Sequence, residues 1–236
     1  MNRIEFGELR VGDTARAHLS DVCDTNWVSM GPKVKAFEKQ WSHLFDYKDS
    51  VAVSSGTDAC INACLALYDI ADASRGDEVI VPALSFIATS NAVRMAGLTP
   101  VFADIEKETL NIDPSKIEGA ITDKTRAIMA VHTMGRPCDM TTIVEIAKKH
   151  NLRLIEDACE AHGAVHKLER VGHFGDMTCF SFYIAHLVCC GEGGMVSTND
   201  ESIAEVLRST RSHGRPFGSI YFDHQRNGIN SKMNDL

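Results

Sequence analysis

No stretch of the chain approaches the roughly 20 consecutive apolar residues of a membrane-spanning helix. The first ten residues carry Glu5 and Glu8 and no apolar core, so no secretory leader is read there and a cytoplasmic location is expected. Basic charge is scarce as well. Against 32 Asp and Glu stand 24 Lys and Arg, a net charge of −8 with no basic stripe, which argues against nucleic acid or an anionic membrane as partner. The eight cysteines include no C-x-x-C pair, and 236 residues at 44% apolar content can bury a core without disulfides. The thiols are therefore expected to be reduced and mostly buried. His162, His166, His173 and His186 lack the spacing of metal ligands, so no metal site is expected. The Gly191-Glu192-Gly193-Gly194 turn lacks the strand-to-helix setting of a dinucleotide fingerprint.

What the chain does have is a rhythm. Residues 15–23 read as a helix, residues 27–32 interrupt it, and Val34, Phe37, Trp41 and Phe45 then recur at helical spacing. Short apolar runs follow at 51–54, 78–82, 100–103, 126–131, 153–157, 178–183 and 195–198. Helical stretches at 58–68, 86–96, 141–150 and 201–211 lie between and after them. This alternation predicts an α/β fold with a mostly parallel seven-stranded sheet and helices on both faces. No repeat or low-complexity linker divides the chain, so a single domain over 1–236 is expected. Residues 228–236 read as the opening of a helix without a cap, so the chain is expected to be truncated at that end and to lack a small C-terminal domain.

In a parallel α/β sheet, ligands bind at the carboxyl ends of the strands. The residues there are Ser54-Ser55-Gly56-Thr57, 82–86, His132, 157–160 and 181–186. The Ser55-Gly56-Thr57 turn opens a helix, which suits an anion such as phosphate, or simply makes Thr57 an N-cap. Asp157 needs a cationic partner or several donors, or caps the next segment. His186, between a buried strand and a glycine turn, is held where proton transfer could use it.

Several motifs in order resemble those of the DegT-type sugar aminotransferases, fold-type-I pyridoxal-phosphate enzymes of nucleotide-sugar metabolism. They include Ser54-Ser55-Gly56-Thr57-Asp58-Ala59 and Gly76-Asp77-Glu78-Val79-Ile80-Val81-Pro82. Ile155-Glu156-Asp157-Ala158-Cys159-Glu160-Ala161-His162-Gly163, Gly191-Glu192-Gly193-Gly194 and Asn230-Ser231-Lys232-Met233 continue the match along essentially the whole chain. The resemblance implies that Gly56, Thr57 and Asp58 sit at the cofactor phosphate, with Ser181 donating a hydroxyl to it. It implies that Phe86 stacks on the pyridine ring and that Asp157 pairs with the protonated ring nitrogen. Glu160 stands where the family usually has a glutamine that touches the ring hydroxyl. Asn230 matches a residue that reaches the phosphate of a neighbouring subunit, so a homodimer with shared sites is implied.

The departure is at His186. The family's aminotransferases place there the lysine that binds the cofactor covalently, and no lysine occurs from Leu168 to Ser231. Imidazole forms no stable imine with the cofactor aldehyde. The cofactor would therefore be held non-covalently, as pyridoxamine 5′-phosphate. The string Ser181-Phe182-Tyr183-Ile184-Ala185-His186 resembles the histidine-bearing 3-dehydratases that make 3,6-dideoxysugars, a step of deoxysugar and lipopolysaccharide O-antigen synthesis. The implied reaction removes the C3 hydroxyl of a nucleotide-linked 4-keto-6-deoxyhexose, with His186 as base. Some such enzymes use an iron–sulfur cluster, but no cysteine follows Cys190, so the cluster-free branch is expected, with an amino donor such as glutamate regenerating the cofactor. The alternatives are a catalytically silent relative and an aminotransferase with an altered attachment position.

Overall fold

The computed structural model describes Gly7 and residues 10–236. Two helices, α1 (Asp13–Thr25) and α2 (Pro32–Phe45), precede strand β1 (Asp49–Val53) and helix α3 (Gly56–Ile70). Then come β2 (Glu78–Pro82), α4 (Ala88–Met95), β3 (Thr99–Ala103), the short α5 (Pro114–Ile117) and β4 (Thr125–Val131). Next are α6 (Met140–Lys149), β5 (Arg153–Asp157), a hairpin of β6 (Val165–His166) and β7 (Glu169–Arg170), β8 (Met177–Ser181), β9 (Gly194–Thr198) and α7 (Glu201–Thr210). No helix among the described residues is long and apolar enough to cross a membrane.

Seven strands form one sheet in the order β1-β9-β8-β5-β4-β2-β3. Only β9 runs against its neighbours; the other pairings are parallel. The expected mostly parallel seven-stranded sheet is thus present. Alternation along each strand sends apolar side chains to both faces. Val79 and Val81 pack with α3, α4 and α7 on one face, whereas Ile80 faces Met140 and Ile143 of α6 on the other. A third cluster joins Val34 and Trp41 of α2 to Phe180, Phe182 and Met195. Helix α3 is buried along most of its length, which explains its run of small residues, Ala59, Cys60, Ala63, Cys64 and Ala66.

Strand β1 is an edge, and its outer hydrogen-bonding groups are covered from within the chain. Glu38 Oε1 accepts the Ala52 N–H at 2.9 Å, and Arg211 Nη1 donates to the Ala52 carbonyl at 2.7 Å and to Glu38 Oε1 at 2.6 Å. An edge satisfied in this way offers no template for pairing with another chain.

Residues 228–236 do not begin a helix. Ile229 N–H donates to the Thr210 carbonyl at 2.8 Å, Ser231 N–H to Arg211 at 3.1 Å, and Ser54 N–H to the Ser231 carbonyl at 2.9 Å. Asn230 bridges Ser212 and Lys232 bridges Val53. Backbone groups used across the fold cannot also close helical turns. Asp235 then caps α2, its carboxylate accepting the N–H groups of Gly31 at 2.7 Å, Lys33 at 3.0 Å and Val34 at 3.1 Å. Gly31 is needed there, because a Cβ would stand 2.8 Å from Asp235 Oδ2.

Candidate active site

The parallel strands bring their carboxyl ends to one side of the sheet, and the antiparallel β9 starts there. Gly194 therefore pairs with both Val53 and Ser181. A Cβ on Gly194 would lie 2.2 Å from the Ser55 carbonyl oxygen, so the turn into α3 rests directly on this glycine. Ser55, not Thr57, is the N-cap of α3, its side chain accepting the Asp58 N–H at 3.1 Å. Ser54 Oγ donates to the Asp58 carboxylate. A Cβ on Gly56 would meet Ser181 Cβ at 2.4 Å and Cys159 Sγ at 3.1 Å. The absence of a side chain thus lets the end of β8 and the turn after β5 close onto the start of α3.

Asp157 ends β5 and is 8% exposed. Thr89 Oγ1 of α4 donates to its Oδ2 at 3.2 Å, and the Cys159 N–H to its Oδ1 at 3.3 Å. No cation pairs with it among the described residues. Burial, followed by charge at Cys60, pushes its pKa up to about 7. The thiols of Cys159 and Cys179 hydrogen-bond Cys60 and hold its pKa well below the thiol range; Cys159 and Cys179 are in turn held well above it, first by Cys60 and then by burial. Thr89, Cys60 and Cys179 carry no sequence signal for this role. Only folding brings α3, α4 and β8 against the end of β5.

His186 lies in the loop between β8 and β9. This loop is pinned by Phe182 N–H to the Gly193 carbonyl at 2.9 Å, Cys190 N–H to Phe182 at 3.1 Å, and His186 N–H to Tyr183 at 2.9 Å. Burial lowers the His186 pKa from its usual value, while Glu160 and Asp157 pull it up. Glu160 is tethered through Oε2, which accepts the Met134 N–H at 2.7 Å. Beside His186, at 6.3 Å between ring centroids, stands His162.

The remaining expected residues are placed less closely. Helix α4 starts at Ala88, so Phe86 belongs to the loop after β2, where it is 77% exposed, three residues before Thr89. The strand expected over 178–183 ends at Ser181; Phe182 packs into the core against Trp41, and Tyr183 turns to His186, 5.9 Å between ring centroids. Asn230 is exposed, and no hydrogen bond of its side chain to the other residues is found among those described. The histidines do not gather around a common centre, but Cys60, Asp157 and Cys159 do.

The family model of the DegT/DnrJ/EryC1/StrS aminotransferases matches residues 10–236. The chain belongs to that family. Among its relatives is the Bacillus subtilis spore coat polysaccharide biosynthesis protein SpsC, 38% identical over 96% of this chain and 59% of the relative. A GDP-perosamine synthase of Caulobacter vibrioides is 40% identical over 90% of this chain and 56% of its own length. The chain thus spans less than two thirds of these members of the DegT family. Of the solved structures, an aminotransferase from Psychrobacter cryohalolentis superposes with a TM-score of 0.87 at 36% identity, over 95% of this chain and 59% of that one. E. coli GDP-4-keto-6-deoxy-D-mannose-3-dehydratase, solved with bound hydrated PLP, superposes with a TM-score of 0.90 at 31% identity, over 100% of this chain and 65% of the other.

Proposed function

We propose that the protein carrying this chain removes the C3 hydroxyl of a nucleotide-linked 4-keto-6-deoxyhexose, using pyridoxamine 5′-phosphate. The observation that carries the reading is His186: a half-buried imidazole at the strand end shared with Asp157, in a chain without lysine from residue 168 to 231. The site residues fit the cofactor. Asp157 is a buried carboxylate without a cation, which a protonated pyridine nitrogen would supply. No partner is found among the described residues for the N–H groups of Gly56 and Thr57, and with the Ser181 hydroxyl they suit a phosphate. When bound, the cofactor supplies a primary amine for the sugar ketone and a ring that accepts an electron pair.

The chain's own part is to hold and to move protons. Asp157 would hold the proton on the ring nitrogen, Phe86 would cover the ring, and Asp58 steadies the Ser54 hydroxyl at the turn that would hold the phosphate. Glu160, tethered on Met134, would take the ring hydroxyl. His186, neutral because burial depresses its pKa, accepts the proton that elimination releases and returns it to the C3 oxygen as that hydroxyl leaves. Glutamate or a similar donor restores the amine, and Asn230 completes the site of a neighbouring subunit in a homodimer.

An aminotransferase is the second reading, favoured by the 40% identity to a GDP-perosamine synthase. Mass spectrometry separates the two. Full-length protein with pyridoxamine phosphate and a nucleotide-linked 4-keto-6-deoxysugar is expected to give a product lacking the C3 hydroxyl. A product with nitrogen in place of the ketone would establish the aminotransferase instead. Turnover unchanged in His186→Ala would remove the histidine from the mechanism, and a purified protein with neither turnover nor cofactor would mark a silent relative.

A further inference from the structure

Two sulfurs converge on Asp157 and a third cysteine adjoins them, and the proposed dehydration uses none of the three. Cys60 projects from the second turn of α3, Cys159 follows two residues after Asp157, and Cys179 of β8 is the register partner of Asp157. One donor atom each from Cys60, Asp157 and Cys159 lies within 4.8 Å of the other two. Cys179 borders the group through its backbone, with Cys159 Sγ 3.9 Å from the Cys179 carbonyl oxygen. Cys60 is 1% exposed, and Cys179 is fully buried, while Cys159 lies at the partly open margin of the cluster.

Two thiolates and one carboxylate oxygen, with the fourth position left to water, form the donor set of a tetrahedral site for a soft divalent cation of the zinc kind. The ligands come from the end of β5, the turn that follows it and helix α3, which the fold already holds together. A cation here would also supply the charge that buried Asp157 otherwise lacks.

We propose that the cofactor-free protein binds one thiophilic divalent cation through Cys60, Asp157 and Cys159, and that this cation and the pyridoxal-type cofactor exclude each other. The cation takes both sulfurs as thiolates, any thiol proton still present going to solvent, with no change in oxidation state. The exclusion follows because a divalent cation on one Asp157 oxygen and a protonated ring nitrogen on the other would be like charges a few ångströms apart in a buried site. It rests on the reading of Asp157 given under the proposed function; cation binding itself does not.

Cobalt(II) is a visible probe for such a site. Reduced, full-length, cofactor-free protein titrated with it under anaerobic conditions is expected to develop sulfur-to-cobalt charge-transfer absorption and tetrahedral visible bands, saturating at a single equivalent and bleached by zinc. Cys60→Ala and Cys159→Ser are each expected to lose these bands while keeping the native circular dichroism. Cys189→Ser and Cys190→Ser, in the histidine loop, are expected to retain them. Absence of charge-transfer absorption in the unsubstituted protein, or its persistence in folded Cys60→Ala and Cys159→Ser, would overturn the site. Pyridoxal phosphate is expected to discharge the cobalt spectrum in proportion to the cofactor bound. Cobalt and cofactor bound together would overturn the exclusion, whereas failure of the sugar assay alone would count against the dehydratase reading and leave the cation site standing.

Discussion

The ring of His162 lies 6.3 Å from that of His186, and both nitrogens of His162 are buried without a hydrogen-bond partner. Trp41, at 5.9 Å, and Phe180, at 5.5 Å, close in on the same ring. Burial, then the facing His186, lowers the His162 pKa from 6.5 to about 4. The unfolded chain therefore binds this proton more readily than the folded one. The contribution to stability is complete above pH 6.5 and is lost as pH falls toward 4, by at most about 1.4 kcal/mol per pH unit. Urea unfolding across that window is expected to show a shallower acid loss in His162→Phe than in the unsubstituted protein.

Asp157 has the opposite sign. Its folded pKa of about 7 exceeds the ordinary carboxyl value of 3.8, so the folded state holds the proton longer. Stability from this group is complete below pH 3.8 and is lost as pH rises to about 7. Asp157→Asn in the cofactor-free protein is expected to remove that loss and to raise the urea midpoint at pH 8. Between pH 4 and 6.5 the His162 and Asp157 slopes oppose each other, so each is read as the difference between its variant and the unsubstituted protein. An Asp157→Asn protein no more stable than its parent at pH 8 would contradict the assignment.

Gly56 tests the close approach at the start of α3. A methyl group there would stand 2.4 Å from Ser181 Cβ and 2.8 Å from Ser181 Oγ. Either β8 or the helix must yield, at a cost of about 1–3 kcal/mol. Gly56→Ala is expected to lower the melting temperature and to weaken pyridoxamine phosphate binding, because Ser181 moves. Calorimetry on the same sample reads both. Unchanged affinity in a destabilised protein would separate Ser181 from the phosphate.

Much of this fold was legible along the chain, and the reason is local. Val79-Ile80-Val81 and Leu154-Ile155 lie in strands buried on both faces, so an unbroken apolar run was sufficient to identify them. The hairpin of β6 and β7 was not legible, because two-residue strands closed by Lys167 at a φ of 56° leave no period to detect. Residues 228–236 misled for a different reason. Their partners, Thr210, Arg211, Val53 and the start of α2, are distant in sequence, and local pattern carries no record of them. The same holds at the site. Motif resemblance named Asp157, Gly56 and His186, but the donors and thiols around Asp157 depend on the β5–β8 register and on the packing of α3 and α4.

Glu38 and Arg211 should differ sharply from the surface ion pairs. Arg211 is 2% exposed, and the two side chains together hold both polar groups of Ala52 on the sheet edge. Removing one partner leaves the other charge buried, so Glu38→Ala is expected to cost about 3–5 kcal/mol. Lys149 pairs with Glu118 at 2.7 Å but is 66% exposed. Lys149→Ala is expected to cost at most about 1 kcal/mol. Urea denaturation of both variants makes the comparison, and equal costs would mean that the edge is held by something other than this pair.

His186→Lys restores an amine where the imidazole now stands. The loop should tolerate it, because its shape is set by backbone bonds among Phe182, Gly193, Tyr183, Cys190 and His186 rather than by the imidazole. A lysine amine bonds covalently to the aldehyde of pyridoxal phosphate, and imidazole does not. Borohydride treatment of His186→Lys with pyridoxal phosphate is therefore expected to fix the cofactor on the peptide containing residue 186, whereas the unsubstituted protein releases its cofactor on dialysis. The same variant is expected to lose dehydration relative to transamination, because an attached lysine returns the cofactor to its aldehyde form. A folded variant with no label at residue 186 would mean that this side chain does not face the cofactor, and the histidine would then have to be read as structural.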